Sequence, residues 1–216
     1  LESFGNPRKF ARVARALARR KPVLAVFSGR SESGRRAGAS HTAAAAAPHV
    51  AVDTLFAQAG VVRVDHLGEL VDAARMLTDQ PLPGGNRLAV VSNAGGANIL
   101  AADAAELHGL HLPDQVGGLT NPLDLGAGAT PQTLEQSMHT MAASGEADTV
   151  LVILTATRAN DPDALWRTAG MVADQHSQLP VAGVRLGGAE VTAVGQRRAP
   201  VFPFPEQAVR AIGQAA

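Results

Sequence analysis

Arg87-Leu88-Ala89-Val90-Val91-Ser92-Asn93-Ala94-Gly95-Gly96 is the stretch that decides the fold. Leu88 to Val91 is an unbroken apolar run, which suits a strand covered on both faces. It passes directly into small residues that let backbone N–H groups approach an anion, and then into a helix predicted to reach about His108. The start of such a helix adds a partial positive charge. Strand, Gly-bearing turn and helix in this order open a parallel crossover unit. Taken alone, the two glycines are accounted for equally well by tight strand-to-helix packing.

Downstream, the pattern repeats. Asn121-Pro122-Leu123-Asp124-Leu125-Gly126-Ala127-Gly128-Ala129-Thr130 is a second Gly-bearing loop, and it leads into a helix opened by Pro131 with Thr130 as its N-cap. Strands are predicted at 149–154, 181–186 and 201–204, with helices at 131–143, 162–175, 189–195 and 205–215. The remainder of 109–130 reads as loop. Upstream, Gln80-Pro81-Leu82-Pro83-Gly84-Gly85-Asn86 reads as a linker, because its prolines and glycines separate periodic segments. Before it come a helix from Pro7 with Asn6 as N-cap, a strand at 23–27, helices at 50–59 and 67–77, and a strand at 61–64. Ser28 to Ala47 is a long stretch of Gly, Ser, Arg and Ala, and reads as a functional loop. The fold class is α/β: two doubly wound units, 1–82 and 83–216, with parallel sheets covered by helices. The first is expected to be truncated, because it offers too few strands to close a layer.

Composition narrows the function. Across 216 residues, Lys+Arg and Asp+Glu are both 19, so no broad electrostatic footprint for nucleic acid or anionic lipid is expected. The absence of cysteine excludes disulfides and thiolate chemistry. No apolar run approaches the roughly 20 residues of a membrane helix, and a cytoplasmic location is expected. Of the seven histidines, five (66, 108, 111, 139 and 176) read as surface or capping residues, and no metal site is expected. His41 differs. It lies in the long small-residue loop between Ser40 and Thr42, and an imidazole there is a nucleophile near neutral pH.

These residues carry a resemblance. Lys21-Pro-Val-Leu-Ala-Val-Phe-Ser-Gly-Arg-Ser-Glu-Ser-Gly34, Ala39-Ser40-His41-Thr42 and Asp53 through Val64 closely resemble the nucleoside-diphosphate-forming (ADP-forming) acyl-CoA synthetases of the succinyl-CoA synthetase superfamily. Val90 to Gly96 and Asn121 to Thr130 fit the same family. The resemblance implies two flavodoxin-like ligase domains and a phosphohistidine route. Acyl-CoA and phosphate yield an acyl phosphate and CoA, and the phosphoryl group then passes through a histidine to ADP. It implies that His41 is the phosphorylated residue and that the Glu2 carboxylate orients it. Asn93, Ala94, Gly95 and Gly96 then face phosphate at a helix start, with Gly126, Ala127 and Gly128 as the adjoining loop.

Three departures from the family pattern stand out. Ala43 and Ala47 replace frequent glycines, and Phe27 stands where Lys is frequent. The 112–120 connection is shorter than usual, as though a stretch were absent. The CoA-binding Rossmann domain and the ATP-grasp domain are expected as partners in cis or trans. The chain alone is then expected to bind no cofactor and to be inactive, with CoA, phosphate and ATP/ADP with Mg belonging to the complete enzyme. An alternative is a non-catalytic acyl-CoA-sensing module beside an acetyltransferase domain, as in Gcn5-related lysine acetyltransferases. A homodimer fits either reading.

Overall fold

The structure, a computed structural model, describes residues 1, 3–39, 49–187 and 191–216. Their contacts divide into two compact units, Leu1–Ala74 and Arg75–Ala216.

The first unit begins with α1 (Pro7–Ala18), β1 (Leu24–Val26) and α2 (Glu32–Ala39). It continues with α3 (His49–Ala59), β2 (Val62–Val64) and the larger part of α4 (Leu67–Asp79). The N-cap of α1 is as expected: the Asn6 side chain accepts from the Lys9 N–H at 2.9 Å, with Pro7 in the first turn. β1 and β2 pair in parallel, with Leu24 opposite Val62. Phe27 lies 5% exposed inside a ring cluster, stacked on Phe4 at 5.3 Å and edge-on to Phe56 at 6.2 Å. The residue that replaces a frequent Lys is therefore core, where a charge would be costly. An apolar groove of about 400 Å³ beside α1 is lined by Phe4, Phe10, Val13 and Leu17.

Two expectations are corrected here. The 28–47 stretch is not loop throughout, since Glu32–Ala39 is helical. The Ser31 hydroxyl accepts from the Gly34 N–H at 3.0 Å and Arg36 pairs with Glu32 one turn earlier, so local polar bonds start a helix that has no apolar period. The unit boundary falls at 74/75, inside α4, rather than at 82/83. Arg75 donates to Val201 O at 2.9 Å and lies over the Phe202 ring. Met76 is 1% exposed in the second core, and Gln80 accepts from the Val181 N–H at 3.1 Å. The linker-like prolines thus lie beyond residues already committed to the second unit.

The second unit continues with β3 (Leu88–Ser92), α5 (Gly95–Leu107), β4 (Gln115–Val116), β5 (Leu119–Thr120) and β6 (Leu123–Asp124). Then follow α6 (Pro131–Ala143), β7 (Thr149–Thr155), α7 (Pro162–Gln175) and β8 (Val181–Leu186). A last group comprises β9 (Ala193–Val194), β10 (Ala199–Phe202) and α8 (Pro205–Ala215). The six-stranded sheet runs β6-β3-β7-β8-β10-β9, parallel except for β9 at its edge. Without β9 and the β4–β5 hairpin, that is the flavodoxin-like order 2-1-3-4-5. Alternation along each central strand supplies both layers. Leu88, Val90, Leu151 and Ile153 pack with the α5/α8 side, whereas Ala89, Val91, Val150 and Val152 pack with Leu134, Met138 and Trp166. Each fully buried large aliphatic side chain contributes about 1.5–3 kcal/mol.

The sequence reading missed three short elements. β4 and β5 form a hairpin closed by Gly117 and Gly118, both at positive φ, within the stretch read as loop. β6 extends the sheet beyond β3. The helix expected at 189–195 is not formed over its described residues, 191–195: Ala193–Val194 is a strand antiparallel to β10. Asp174 accepts from the Gln196 and Arg197 N–H groups at 2.8 and 2.9 Å, and this fixes the turn that Gly195 enters at φ 73.

Candidate functional site

β3 is the point at which the strand order reverses, with β6 on one side and β7 on the other. A crevice at the carboxyl ends of such strands is where doubly wound sheets bind ligands. Three loops meet there.

The β3 loop brings Ser92 to Gly96. The Ser92 hydroxyl accepts from the Ala94 N–H at 3.2 Å, turning the chain into α5. Ala94 is the N-cap and has no side-chain cap bond, so the opening N–H groups of α5 lack the usual capping oxygen. Gly95 and Gly96 are exposed. A Cβ on Gly96 would meet nothing within 4 Å, so the space in front of that turn is open. On Gly95, a Cβ would lie 2.8 Å from Asp124 Oδ2. Asn93 is 3% exposed and does not point into solvent. It donates to Thr155 O at 2.9 Å and accepts from the Thr155 N–H at 2.8 Å. Of the four residues expected here, the Asn93 side chain is taken up by Thr155, whereas Gly95 and Gly96 lie exposed at the start of α5.

The β6 loop is tied to the first. The Leu125 N–H donates to Ser92 O at 2.7 Å, and Asp124 Oδ1 accepts from the Gly126 N–H at 2.8 Å. Gly126 has φ 74, a conformation glycine adopts cheaply. Thr130 caps α6 by accepting from the Thr133 N–H at 3.2 Å.

The third loop, after β7, had no glycine to mark it. Thr157 Oγ1 and Asn160 Nδ2 both donate to Ala127 O, at 2.8 and 3.1 Å, and Asn160 Nδ2 also reaches Thr155 O. Thr155, Thr157 and Asn160 thereby hold the Gly126–Gly128 loop in place. The signal that could have found them is the polar run Thr155-Ala156-Thr157-Arg158-Ala159-Asn160 directly after a buried strand.

The structure thus brings together Asn93 to Gly96 and Gly126 to Gly128. His41 and Glu2 lie outside the described residues, as do Ala43 and Ala47. Elsewhere His108 and His176 cap the C-termini of α5 and α7. His108 and His111 flank the Gly109 turn, and His139 Nδ1 lies 2.7 Å from His176 Nε2. Among the described residues no three His, Asp or Glu side chains converge as a metal site, and no helix is long and apolar enough to cross a membrane.

Comparison with known proteins agrees with this geometry. Residues 1–77 match the succinyl-CoA ligase like flavodoxin domain. The chain is 30% identical, over 98% of its length, to the alpha subunit of ADP-forming acetate–CoA ligase I of Pyrococcus furiosus, of which it covers 50%. It is 33% identical over 74% of its length to ADP-forming acetate–CoA ligase I of Archaeoglobus fulgidus, covering 25% of that protein. The chain therefore spans half or less of the length of these relatives. An acetyl-coenzyme A synthetase 1 of Ca. Korarchaeum cryptofilum, solved with phosphate and ADP, superposes over the whole chain and 51% of its own, with TM-score 0.88 and 26% identity. Residues 1–77 therefore carry a succinyl-CoA ligase like flavodoxin domain, and along its length the chain is homologous to ADP-forming acetate–CoA ligases and shares the fold of an acetyl-coenzyme A synthetase.

Proposed function

We propose that the chain supplies the phosphate-handling ligase domains of an ADP-forming acyl-CoA synthetase. The observation that carries this is the uncapped, open start of α5 at the strand-order reversal, in a chain whose relatives along 98% of its length include an acetate–CoA ligase alpha subunit. In this reading Gly95 and Gly96 present N–H groups to phosphate, and the Gly126–Gly128 loop borders it. The helix start favours negative charge there and needs no counter-ion. His41 takes the phosphoryl group as nucleophile and Glu2 orients its ring. CoA and ATP/ADP with Mg are assigned to the rest of the enzyme, the Rossmann and ATP-grasp partners. Among the described residues the open backbone turn fits a phosphate-sized oxyanion. The named relatives are ligases, which supports an active synthetase over a sensing module.

The test joins the chain with those partner domains, in one polypeptide or as subunits, and supplies γ-labelled ATP. Acid-labile label is expected on the protein and absent in His41→Ala. Equal labelling of the variant would sink the assignment.

A further inference from the structure

The rings of His139 and His176 meet although the two residues lie 37 positions apart, a spacing that no local motif announces. His139 stands on α6 and His176 is the C-cap of α7, and these helices share one core through Leu134, Met138, Leu165 and Val172. The backbone of His176 is fixed as well. Its N–H donates to Val172 O at 3.1 Å, and its carbonyl accepts from the Leu179 N–H at 3.0 Å. His139 Nδ1 and His176 Nε2 are thereby held 2.7 Å apart, both rings half-buried, with one proton between them.

A neutral imidazole nitrogen is a ligand for late transition metals. Burial, and then the His139 charge, hold the His176 ring below its ordinary value of 6.5, so near neutral pH it has a lone pair to offer. One ion bound by both nitrogens at about 2.0–2.1 Å sets them about 2.9 Å apart at a right angle, or about 3.3 Å apart at the tetrahedral angle. The rings then need to open by roughly 0.2–0.6 Å, which side-chain rotation supplies while α6 and α7 stay in place. The shared proton moves to the far nitrogen of the ring that holds it, so both rings remain neutral. Glu135 Oε1 lies 4.0 Å from His139 Nε2, on the side where a metal-bound histidine commonly has a carboxylate partner. No third His, Asp or Glu side chain joins the pair among the described residues, so water takes the remaining positions. We propose that His139 and His176 form a two-histidine chelate for a late first-row divalent transition-metal ion, of the Ni²⁺, Cu²⁺ and Zn²⁺ class, joining α6 to the end of α7. Mg²⁺ and Ca²⁺, which take oxygen ligands, do not fit the pair.

The 216-residue chain is titrated with Zn²⁺ at neutral pH, and the ring C–H resonances of its seven histidines are followed by NMR. Those of His139 and His176 are expected to shift together, with half-saturation at a roughly tenfold lower Zn²⁺ concentration than for the remaining histidines, because the second nitrogen binds at high effective concentration. Mg²⁺ over the same range should move neither ring. His139→Gln and His176→Gln each leave one nitrogen of the pair, and its ring should then need roughly tenfold more Zn²⁺, as an isolated histidine does. Unchanged resonances of the other histidines before Zn²⁺ is added show that each variant is folded. The site is overturned if His139 and His176 shift independently in the parent, or no earlier than the other histidines. It is overturned equally if the remaining ring in either folded variant half-saturates where it does in the parent.

Discussion

Asn93 and Thr155 are joined by two antiparallel hydrogen bonds: the Asn93 amide donates to Thr155 O at 2.9 Å, and its oxygen accepts from the Thr155 N–H at 2.8 Å. The side chain thereby imitates a strand residue and continues the β3–β7 ladder past Ser92 opposite Ile153. It is 3% exposed, so water cannot replace what it provides. Asn93→Ala leaves the Thr155 N–H without a partner inside the sheet end. The expected loss is about 1–3 kcal/mol, read from urea unfolding. Asn93→Asp keeps one bond and should fall between. A loss below about 0.5 kcal/mol for Asn93→Ala would mean the pair does not hold the site.

The outer edge of the Trp166 ring lies against Gly183. A Cβ on that glycine would come within 2.7 Å of Trp166 Cζ3 and 3.2 Å of Val201 Cγ2, both part of the packed core. Gly183→Ala is expected to destabilise by about 1–3 kcal/mol through overpacking. Because Trp166 is the sole tryptophan, its fluorescence reports the same displacement. Trp166→Leu in the Gly183→Ala background should recover part of the loss. Additive effects in that double variant would place the cause elsewhere.

The central strands could be read because four consecutive apolar residues, such as Leu88–Val91, have one low-energy fate in an α/β chain. The helix starts at Pro7, Pro131, Pro162 and Pro205 could be read because proline and a preceding cap act locally. What escaped was set by distant partners. β6 is two residues long, and Asn121 next to it takes ladder bonds from Val90 N–H and to Leu88 O that no local pattern announces. The β9 turn depends on Asp174, twenty-two residues away. At the site, turn chemistry marked Gly95, Gly96 and Gly126, whereas Thr157 and Asn160 reach the glycine loop through Ala127 O, a contact with no local signature. His41 and Glu2 came from family resemblance rather than from spacing.

The His139–His176 pair gives a pH dependence with a definite sign. Burial, and then the His139 charge, hold the His176 imidazole below its ordinary value of 6.5. A histidine with a lowered folded pKa binds fewer protons folded than unfolded, so stability falls as pH drops below about 6.5 and levels off below the depressed value. The 2.7 Å contact accommodates one proton between the rings, and a second breaks it. Glu135 lies 4.0 Å from the far nitrogen of His139. His176→Gln should therefore lose less stability than the parent between pH 7.5 and 5.5 in paired urea titrations. An equal loss would show that other groups cause the acid sensitivity.

Gly95 and Gly96 are adjacent and should respond differently to a side chain. At Gly95 the added Cβ meets Asp124 Oδ2 at 2.8 Å, so Gly95→Ala must push a carboxylate out of its turn. At Gly96 the Cβ enters open space, and the residue is in the first turn of α5. Replacing glycine there removes freedom from the unfolded chain, so Gly96→Ala is expected to stabilise by about 0.4–1 kcal/mol. Gly96→Val should fold as the parent does, since its bulk points away from the core. If the N–H groups of this turn hold phosphate, that bulk occupies the approach, and the phosphate affinity of Gly96→Val falls by roughly tenfold or more, the scale of one charge-assisted bond lost. The two measurements separate fold from function: thermal unfolding should place both Gly96 variants at or above the parent. Undiminished phosphate binding in Gly96→Val would move the anion away from the start of α5.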